Sequence, residues 1–272
     1  MNNSRYLNLG CGNRFLKDWI NVDFVSYDHN VISHNLLKKL PFSDNSFDVL
    51  YSSHVLEHFS YKDAIFFLQE CYRVTNRNGI IRIVVPDMEL IVNSYLKSLN
   101  NVLSLSNLDN QFRYQCDQIE LLDQLTRTYS GGMLGELWSQ DDLIDEDYLL
   151  QKGGDEFVKY RQCLKNNKVD SLKNSIKRTL YNFSLFILEK IIGNYNYKIW
   201  KEVQFRKTGE IHRWMYDRYS LKKVLEESGF VEITQFDAFN SQIDNWGEFQ
   251  YLDVEGGRIR KPDSLIMEAR KR

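Results

Sequence analysis

The stretch from Arg5 to Phe24 constrains this chain more than any other. Tyr6, Leu7 and Leu9 form a short apolar run that stops at Gly10-Cys11-Gly12, the pattern of a strand running into a glycine turn. Glycine lets the backbone turn sharply and lets a ligand approach the main chain with no side chain in the way. The pattern predicts a short helix next, then a second strand over residues 19–22 that ends in Asp23. In a doubly wound α/β sheet, ligands bind outside the carboxyl ends of the strands, and an acid at the second strand's tip can take both hydroxyls of a ribose. This stretch therefore points to a nucleoside-bearing ligand.

The kind of nucleoside is narrowed by what the loop lacks. A dinucleotide site wants a third glycine, because the pyrophosphate sits on a helix N-terminus packed tightly to the strand. That position is Phe15 here. The segment between Gly12 and Asp23 is also short for a full crossover helix and a strand. The loop suits a nucleoside with an amino-acid tail better than one with a pyrophosphate.

Two further stretches carry family character. One runs from Leu40-Pro-Phe-Ser-Asp-Asn-Ser-Phe-Asp48 through His54-Val-Leu-Glu57-His58-Phe59, and the other from Glu70-Cys-Tyr-Arg73-Val74 through Asn78-Gly79 to Pro86-Asp87. Together with the opening they resemble the class I S-adenosylmethionine-dependent methyltransferases. The likeness is to type 11-like members of a bacterial subgroup with a short first helix, found among sugar- and envelope-biosynthesis enzymes. It covers roughly the first ninety residues closely. It returns at Gly209-Glu-Ile-His212-Arg-Trp-Met-Tyr216-Asp217, at Leu225-Glu-Glu-Ser-Gly229-Phe230, and at a last strand over residues 264–269.

The resemblance implies a Rossmann-like, doubly wound seven-stranded sheet with an antiparallel last strand, interrupted by a helical insertion. It implies S-adenosyl-L-methionine as cofactor and places it on Asn8, Gly10, Cys11, Gly12, Asp23, Asn35, Leu36 and Ser53. Two of these depart from the family pattern. Asn8 stands where the commoner opening has an acid that orients the methionine end of the cofactor, which leaves a neutral hydrogen bond. Asn35 stands where relatives often carry Asp, and its carbonyl oxygen can still accept from the adenine amino group.

In chain order, the patterns predict a weak third strand over 31–33 and a buried fourth strand over 47–51. An amphipathic helix over 61–74 follows, with Ala64, Phe67, Leu68 and Cys71 on one side. Asn78-Gly79 marks a turn. A strand over 80–85 is dense in β-branched residues, as a central parallel strand should be. A helix begins at 88. From about 100 to 206 the pattern leaves the core, with helical pieces around 111–129, glycine breaks at Gly131-Gly132 and Gly153-Gly154, and a long helix over 171–192. The expected division is a core of 1–99 and 207–272 and a helical cap of 100–206, because a structureless insertion of that length is unusual in a compact domain. The core resumes with a helix over 219–228 and strands over 231–235 and 265–269.

Composition excludes some classes. The net charge of −2 gives no broad polyanion-binding surface, so no nucleic-acid partner is expected. Four cysteines without paired metal spacing read as reduced thiols of a cytoplasmic protein. Met1 leads directly into the first strand, which predicts no signal peptide. No run of about eighteen uncharged apolar residues is present, so no spanning helix is expected. The segment 171–192 is rich in Leu, Ile and Phe and flanked by lysines. It reads as the core of the cap, as a dimer contact, or as a peripheral membrane helix.

The string His54-Val-Leu-Glu57-His58 matches the spacing of the inverted zinc-protease motif, so a zinc hydrolase is one alternative. It follows directly on a strand, however, where the methyltransferase pattern expects it, and no metal ligand is assigned. A sulfonium methyl is already activated, so the protein mainly holds the nucleophile in line at about 3 Å and excludes water. A hydroxyl or amine acceptor would benefit from a base. His54, His58 and His212 are the candidates, since histidine's ordinary pKa lies near neutrality. The expected activity is methyl transfer to an oxygen or nitrogen of a small or carbohydrate-linked acceptor. A protein that keeps the fold and the cofactor without turnover is the other alternative.

Overall fold

Near-continuous apolar runs such as Ile80 to Val85 can be buried on both faces only at the centre of a covered parallel sheet. The chain forms such a sheet. In the computed structural model, which describes residues 5–26, 28–166 and 184–272, the strands are β1 (Tyr6–Leu9), β2 (Ile20–Asp23), β3 (Val31–Ser33), β4 (Phe47–Ser53), β5 (Thr75–Pro86), β6 (Val231–Phe236) and β9 (Ser264–Arg270). A separate small hairpin pairs β7 (Val254–Glu255) with β8 (Arg258–Ile259). The main sheet has seven strands in the order β3-β2-β1-β4-β5-β9-β6. β1 to β5 run parallel to one another, and β9 pairs antiparallel with both β5 and β6. This is the doubly wound sheet with an antiparallel last strand that the resemblance implies.

Register brings the functional loops to one edge. Leu9 pairs with Val22 and with Ser52, so the chain leaves β1 at Gly10, β2 after Asp23 and β4 after Ser53 side by side. Helix α1 (Tyr61–Val74) covers one face. The Ser60 hydroxyl caps it by accepting the Asp63 N–H, and Ala64, Phe67, Leu68, Cys71 and Val74 are buried.

Several boundaries differ from the sequence expectation. No helix forms between Gly12 and β2, where residues 11–19 make only turns. Two side-chain amides explain this. Asn8 Nδ2 donates to the Arg14 carbonyl at 3.0 Å, and Asn21 Nδ2 donates to the carbonyls of Leu16 and Trp19, both at 2.9 Å. Asparagines that take backbone partners in this way hold a loop against helix formation. Residues 75–79 extend β5 instead of forming a free turn, and helix α2 (Met88–Ser104) continues through position 99.

Helices α3 (Leu108–Thr126), α4 (Gly132–Trp138) and α5 (Glu146–Asn166) share a small core of Phe112, Cys116, Ile119, Leu137, Leu149 and Phe157. Gly154 breaks α5 with φ 53°, and a Cβ there would lie 2.6 Å from Pro262 and 2.8 Å from the Arg260 carbonyl oxygen. That kink lets α5 meet the 259–262 segment. The expected long helix over 171–192 lies partly outside the described residues, while 184–192 is helical. There Phe186 and Ile191 are exposed, so this part does not form a cap core. Among the described residues, no helix is long and apolar enough to cross a membrane.

The apolar strand β5 carries one residue that the expectation passed over, Arg82, which is fully buried. Its guanidinium pairs with Asp253 at 2.8 Å and with Glu268 of β9 at 2.6 Å, donates to the carbonyls of Asp237 and Asn240, and lies 4.2 Å over the Trp246 ring. One side chain thereby ties the 237–253 segment to the sheet. Arg82→Met should cost about 3–5 kcal/mol in urea unfolding, because it leaves two buried carboxylates unpaired. The triple change Arg82→Met, Asp253→Asn, Glu268→Gln should recover part of that loss.

Candidate active site

The first cavity lies over the tips of β1 and β4. It measures ≈ 270 Å³ and is lined by Asn8, Gly10, Cys11, Gly12, Arg14 and Ser53 from the sheet edge. His54, Asp155, Glu156, Lys159, Tyr251 and Arg260 complete its walls. A neighbouring hollow, lined by Asp23, Phe15 and Val25, adjoins it through Gly12 and Asn13. Gly10 donates to the Val22 carbonyl at 2.8 Å, and the Gly12 N–H donates to Asp23 Oδ2 at 2.7 Å, so the glycine turn and the acid stand together. Gly10 has φ 73°, and a Cβ there would lie 2.1 Å from Val55. Gly10 thus makes room for the chain's own Val55.

The polar atoms in this cavity favour a zwitterionic ligand. Asn8 is 1 % exposed, and its Oδ1 has no hydrogen-bond partner in the protein, although its Nδ2 is used. Arg14 Nε and Arg260 Nε are likewise buried and unpartnered. Buried polar groups are rarely left unsatisfied, so a lone acceptor and two lone donors on residues that line one cavity suit an ammonium and a carboxylate. Burial pushes the Cys11 thiol up to about 12, with Asp23 adding to it, so Cys11 stays a neutral wall residue. Asn35 and Leu36 line neither cavity. The Asn35 side-chain oxygen accepts the Leu37 N–H at 2.9 Å, and Leu36 packs in the main core.

The cavity's roof was not foreseen. Glu255 of β7 pairs with Arg14 at 2.6 Å and with Lys159 of α5 at 2.5 Å, while Arg14 stacks 3.6 Å from the centre of the Tyr251 ring. Arg260 donates to Ser53 Oγ at 3.1 Å. These partners come from more than two hundred positions away in some cases, and no local pattern in the 250–260 segment announces them.

A second cavity of ≈ 340 Å³ opens beyond His54, and His54 and Glu156 line both. His54 has a left-handed backbone, φ 54°, an uncommon conformation of the kind that clusters at functional sites. Its Nε2 lies 3.0 Å from Ser264 Oγ and its Nδ1 3.1 Å from Glu57 Oε1. The string His54–His58 forms only a three-residue 3-10 turn, Leu56–His58, so the two histidines do not share a helix face as the zinc-hydrolase alternative requires. The structure instead brings His58 against His212, with ring centres 4.8 Å apart. The His58 Nδ1 faces the Ile211 carbonyl at 3.3 Å; a carbonyl only accepts, so Nδ1 carries the proton and Nε2 presents a lone pair.

Burial sets the protonation of the group. It lowers His54 well below its ordinary value, His58 to about 4 and His212 to about 2, so all three rings are neutral at pH 7. It raises Glu57, 1 % exposed, to about 8. The second cavity is otherwise polar and charged. Arg127, Lys152 and Lys261 face it together with Glu120, Glu210 and Asp263, beside the rings of Trp138 and Tyr160.

Residues 7–83 match the family model described as a methyltransferase domain. That stretch of the chain, which includes the glycine turn and the strands bordering the first cavity, is thus similar to a methyltransferase domain. Among solved structures, the chain is similar to a SAM-dependent methyltransferase from Thermotoga maritima, described as a possible histamine N-methyltransferase. The TM-score is 0.42 and the identity 10%, over 100% of this chain and 84% of that one. A SAM-dependent methyltransferase from Archaeoglobus fulgidus gives a TM-score of 0.39 and 15% identity, covering 98% of this chain and 86% of the other. No curated protein matches the chain.

The roof of the first cavity has a pH signature. The hydrogen bond from Lys159, with that from Arg14, holds the Glu255 carboxyl down at about 2, against an ordinary 4.5. A depressed carboxyl stabilises the fold above its ordinary value and loses that contribution as pH falls toward the folded value. Glu255→Gln should therefore melt below the unmodified protein at pH 6, with the gap narrowing between pH 5 and pH 3. A gap that stays constant across that range would remove the pin.

Proposed function

We propose that the methyl group passes to an oxygen or nitrogen of a small or carbohydrate-linked acceptor held in the second cavity. The observation that carries this reading is that the two cavities share His54 and Glu156. S-adenosylmethionine in the first cavity supplies a methyl already activated on a sulfonium, whose leaving group departs neutral. In this reading Asp23 takes the ribose hydroxyls, and Asn8 Oδ1 accepts from the ammonium of the methionine end. Gly10, Cys11, Gly12 and Ser53 form the surrounding wall, while Asn35 and Leu36 lie outside it. The pairing of aromatic faces, Trp138 and Tyr160, with carboxylates suits a sugar, and Arg127, Lys152 and Lys261 suit an acidic substituent on it.

The protein's own work is positioning. An acceptor fixed beside His54 meets the cofactor's methyl in line, and the roof of residues 251–260 excludes water. His54, neutral and at the junction, is the proposed base, and His58 and His212 contact the acceptor from deeper in the cavity. Residues 100–206 act as the cap that supplies α5 to the first cavity and α3 to α5 to the second, over a core of 1–99 and 207–272. This reading fits a cytoplasmic enzyme of polysaccharide biosynthesis without a nucleic-acid partner. The exposed apolar residues of 184–192 suit a peripheral contact with a membrane or a second chain, on which the chemistry does not depend.

Calorimetry with S-adenosylmethionine and its demethylated product tests the cofactor placement. Asp23→Asn keeps an oxygen for the Gly12 N–H but loses the charge, and should weaken both ligands about tenfold or more, the scale of a hydrogen bond to a charged group. Equal binding by the mutant would remove Asp23 from the ribose. Labelled methyl transfer to panels of hydroxylated and amine acceptors tests the acceptor class, and transfer only to carbon acids would overturn it.

A further inference from the structure

The deep end of the second cavity contains a group of donors arranged for more than hydrogen bonding. Glu57, His58 and His212 each offer one ligand atom, and these atoms lie within 4.8 Å of one another. All three line the cavity. Glu57 is 1 % exposed; its Oε1 has only the contact of His54 Nδ1 at 3.1 Å, and its Oε2 has no hydrogen-bond partner, which is a costly state for a buried acid.

We propose that Glu57, His58 and His212 bind one divalent transition-metal ion, zinc or a close analogue, with its open coordination positions facing the acceptor cavity. The donor set is two imidazoles and one carboxylate, which suits zinc, iron or cobalt and is a poor match for magnesium or calcium, whose ligands are oxygens. Three protein ligands leave room for a water or a substrate oxygen.

The scaffold is already fixed around these atoms. The Glu57 carbonyl accepts the N–H groups of Arg213 and Trp214, at 2.7 and 3.2 Å, which locks the 3-10 turn to the segment bearing His212. The His212 N–H donates to the Gln124 carbonyl at 2.9 Å. The His58 ring is oriented by the Ile211 carbonyl, and His54 Nδ1 stands 3.1 Å from Glu57 Oε1. Groups that orient ligands in this way are half of a working metal site. The nearby cations are engaged elsewhere, Arg127 with Glu210 at 3.1 Å and Lys261 with Glu156 at 3.1 Å. The ion's role, holding an oxygen of the acceptor, rests on the acceptor reading above; its binding does not.

The full chain, stripped with a chelator and returned to chelator-free buffer, is titrated with Zn²⁺ and with Mg²⁺ by calorimetry, and with Co²⁺ by visible absorption. Expected are about one Zn²⁺ per chain, no saturable Mg²⁺ binding, and a Co²⁺ spectrum of nitrogen and oxygen ligation. Glu57→Gln and His212→Asn should each weaken Zn²⁺ binding at least about a hundredfold, while His34→Ala, remote from the cluster, leaves it unchanged. Absent 1:1 binding, or equal affinity in both variants, overturns the site. If either variant misfolds, the Co²⁺ spectrum of the unmodified chain decides, and a spectrum of aqueous Co²⁺ overturns it. Cofactor affinity measured on the stripped protein separates the two ideas. Cofactor binding without zinc binding ends this proposal alone, and zinc binding without cofactor binding ends the cofactor reading alone.

Discussion

A single buried guanidinium organises the half of the molecule that closes over the ligand. Arg82 stands in the middle of an apolar strand and is held by Asp253 and Glu268. Burying one cation with two carboxylates is costly unless every partner is in place, because each charge has left water. The arrangement therefore works as an all-or-none clamp. Through Asp253 and the carbonyls of Asp237 and Asn240 it places the start of the 250–260 segment, which then carries Glu255 and Arg260 over the first cavity.

The two cavities follow from two different constraints. The first is a consequence of sheet register. β1, β2 and β4 end together, and the Gly12 N–H fixes the Asp23 carboxylate beside the turn. The second is made by packing between remote parts: the 3-10 turn after β4, the chain near His212, and helices α3 to α5. His54 sits where they meet, with a strained backbone that regular strand geometry would not allow. His54 is thereby one of two residues, with Glu156, that line both cavities.

Much of the fold was legible because its signals are local. The apolar runs of β1, β4 and β5 and the spacing of Ala64, Phe67, Leu68 and Cys71 on α1 each depend on near neighbours. The expected positions of β3, β4, β6, β9 and α1 came within a residue or two, whereas β5 begins five residues before its expected start. The absent helix after Gly12 was not legible, since it turns on Asn8 and Asn21 reaching carbonyls several residues away. Nor was the partner of His58. Its spacing to His54 suggested a pair on one helix face, but the 3-10 turn sends it to His212 instead.

The sequence by itself showed the strand runs and the glycine turn with an acid at the second strand's end, and through its family resemblance it implied the doubly wound sheet and a nucleoside-bearing cofactor. The strand runs and the turn rest on periodicity and on residues separated by short, fixed lengths of chain. Only the tertiary structure decided which charges roof the first cavity, which histidines meet, and that Glu57 lies buried with one carboxylate oxygen unpartnered. Some of those contacts join residues more than two hundred positions apart, and their energies come from desolvation and geometry that exist only once the chain has closed.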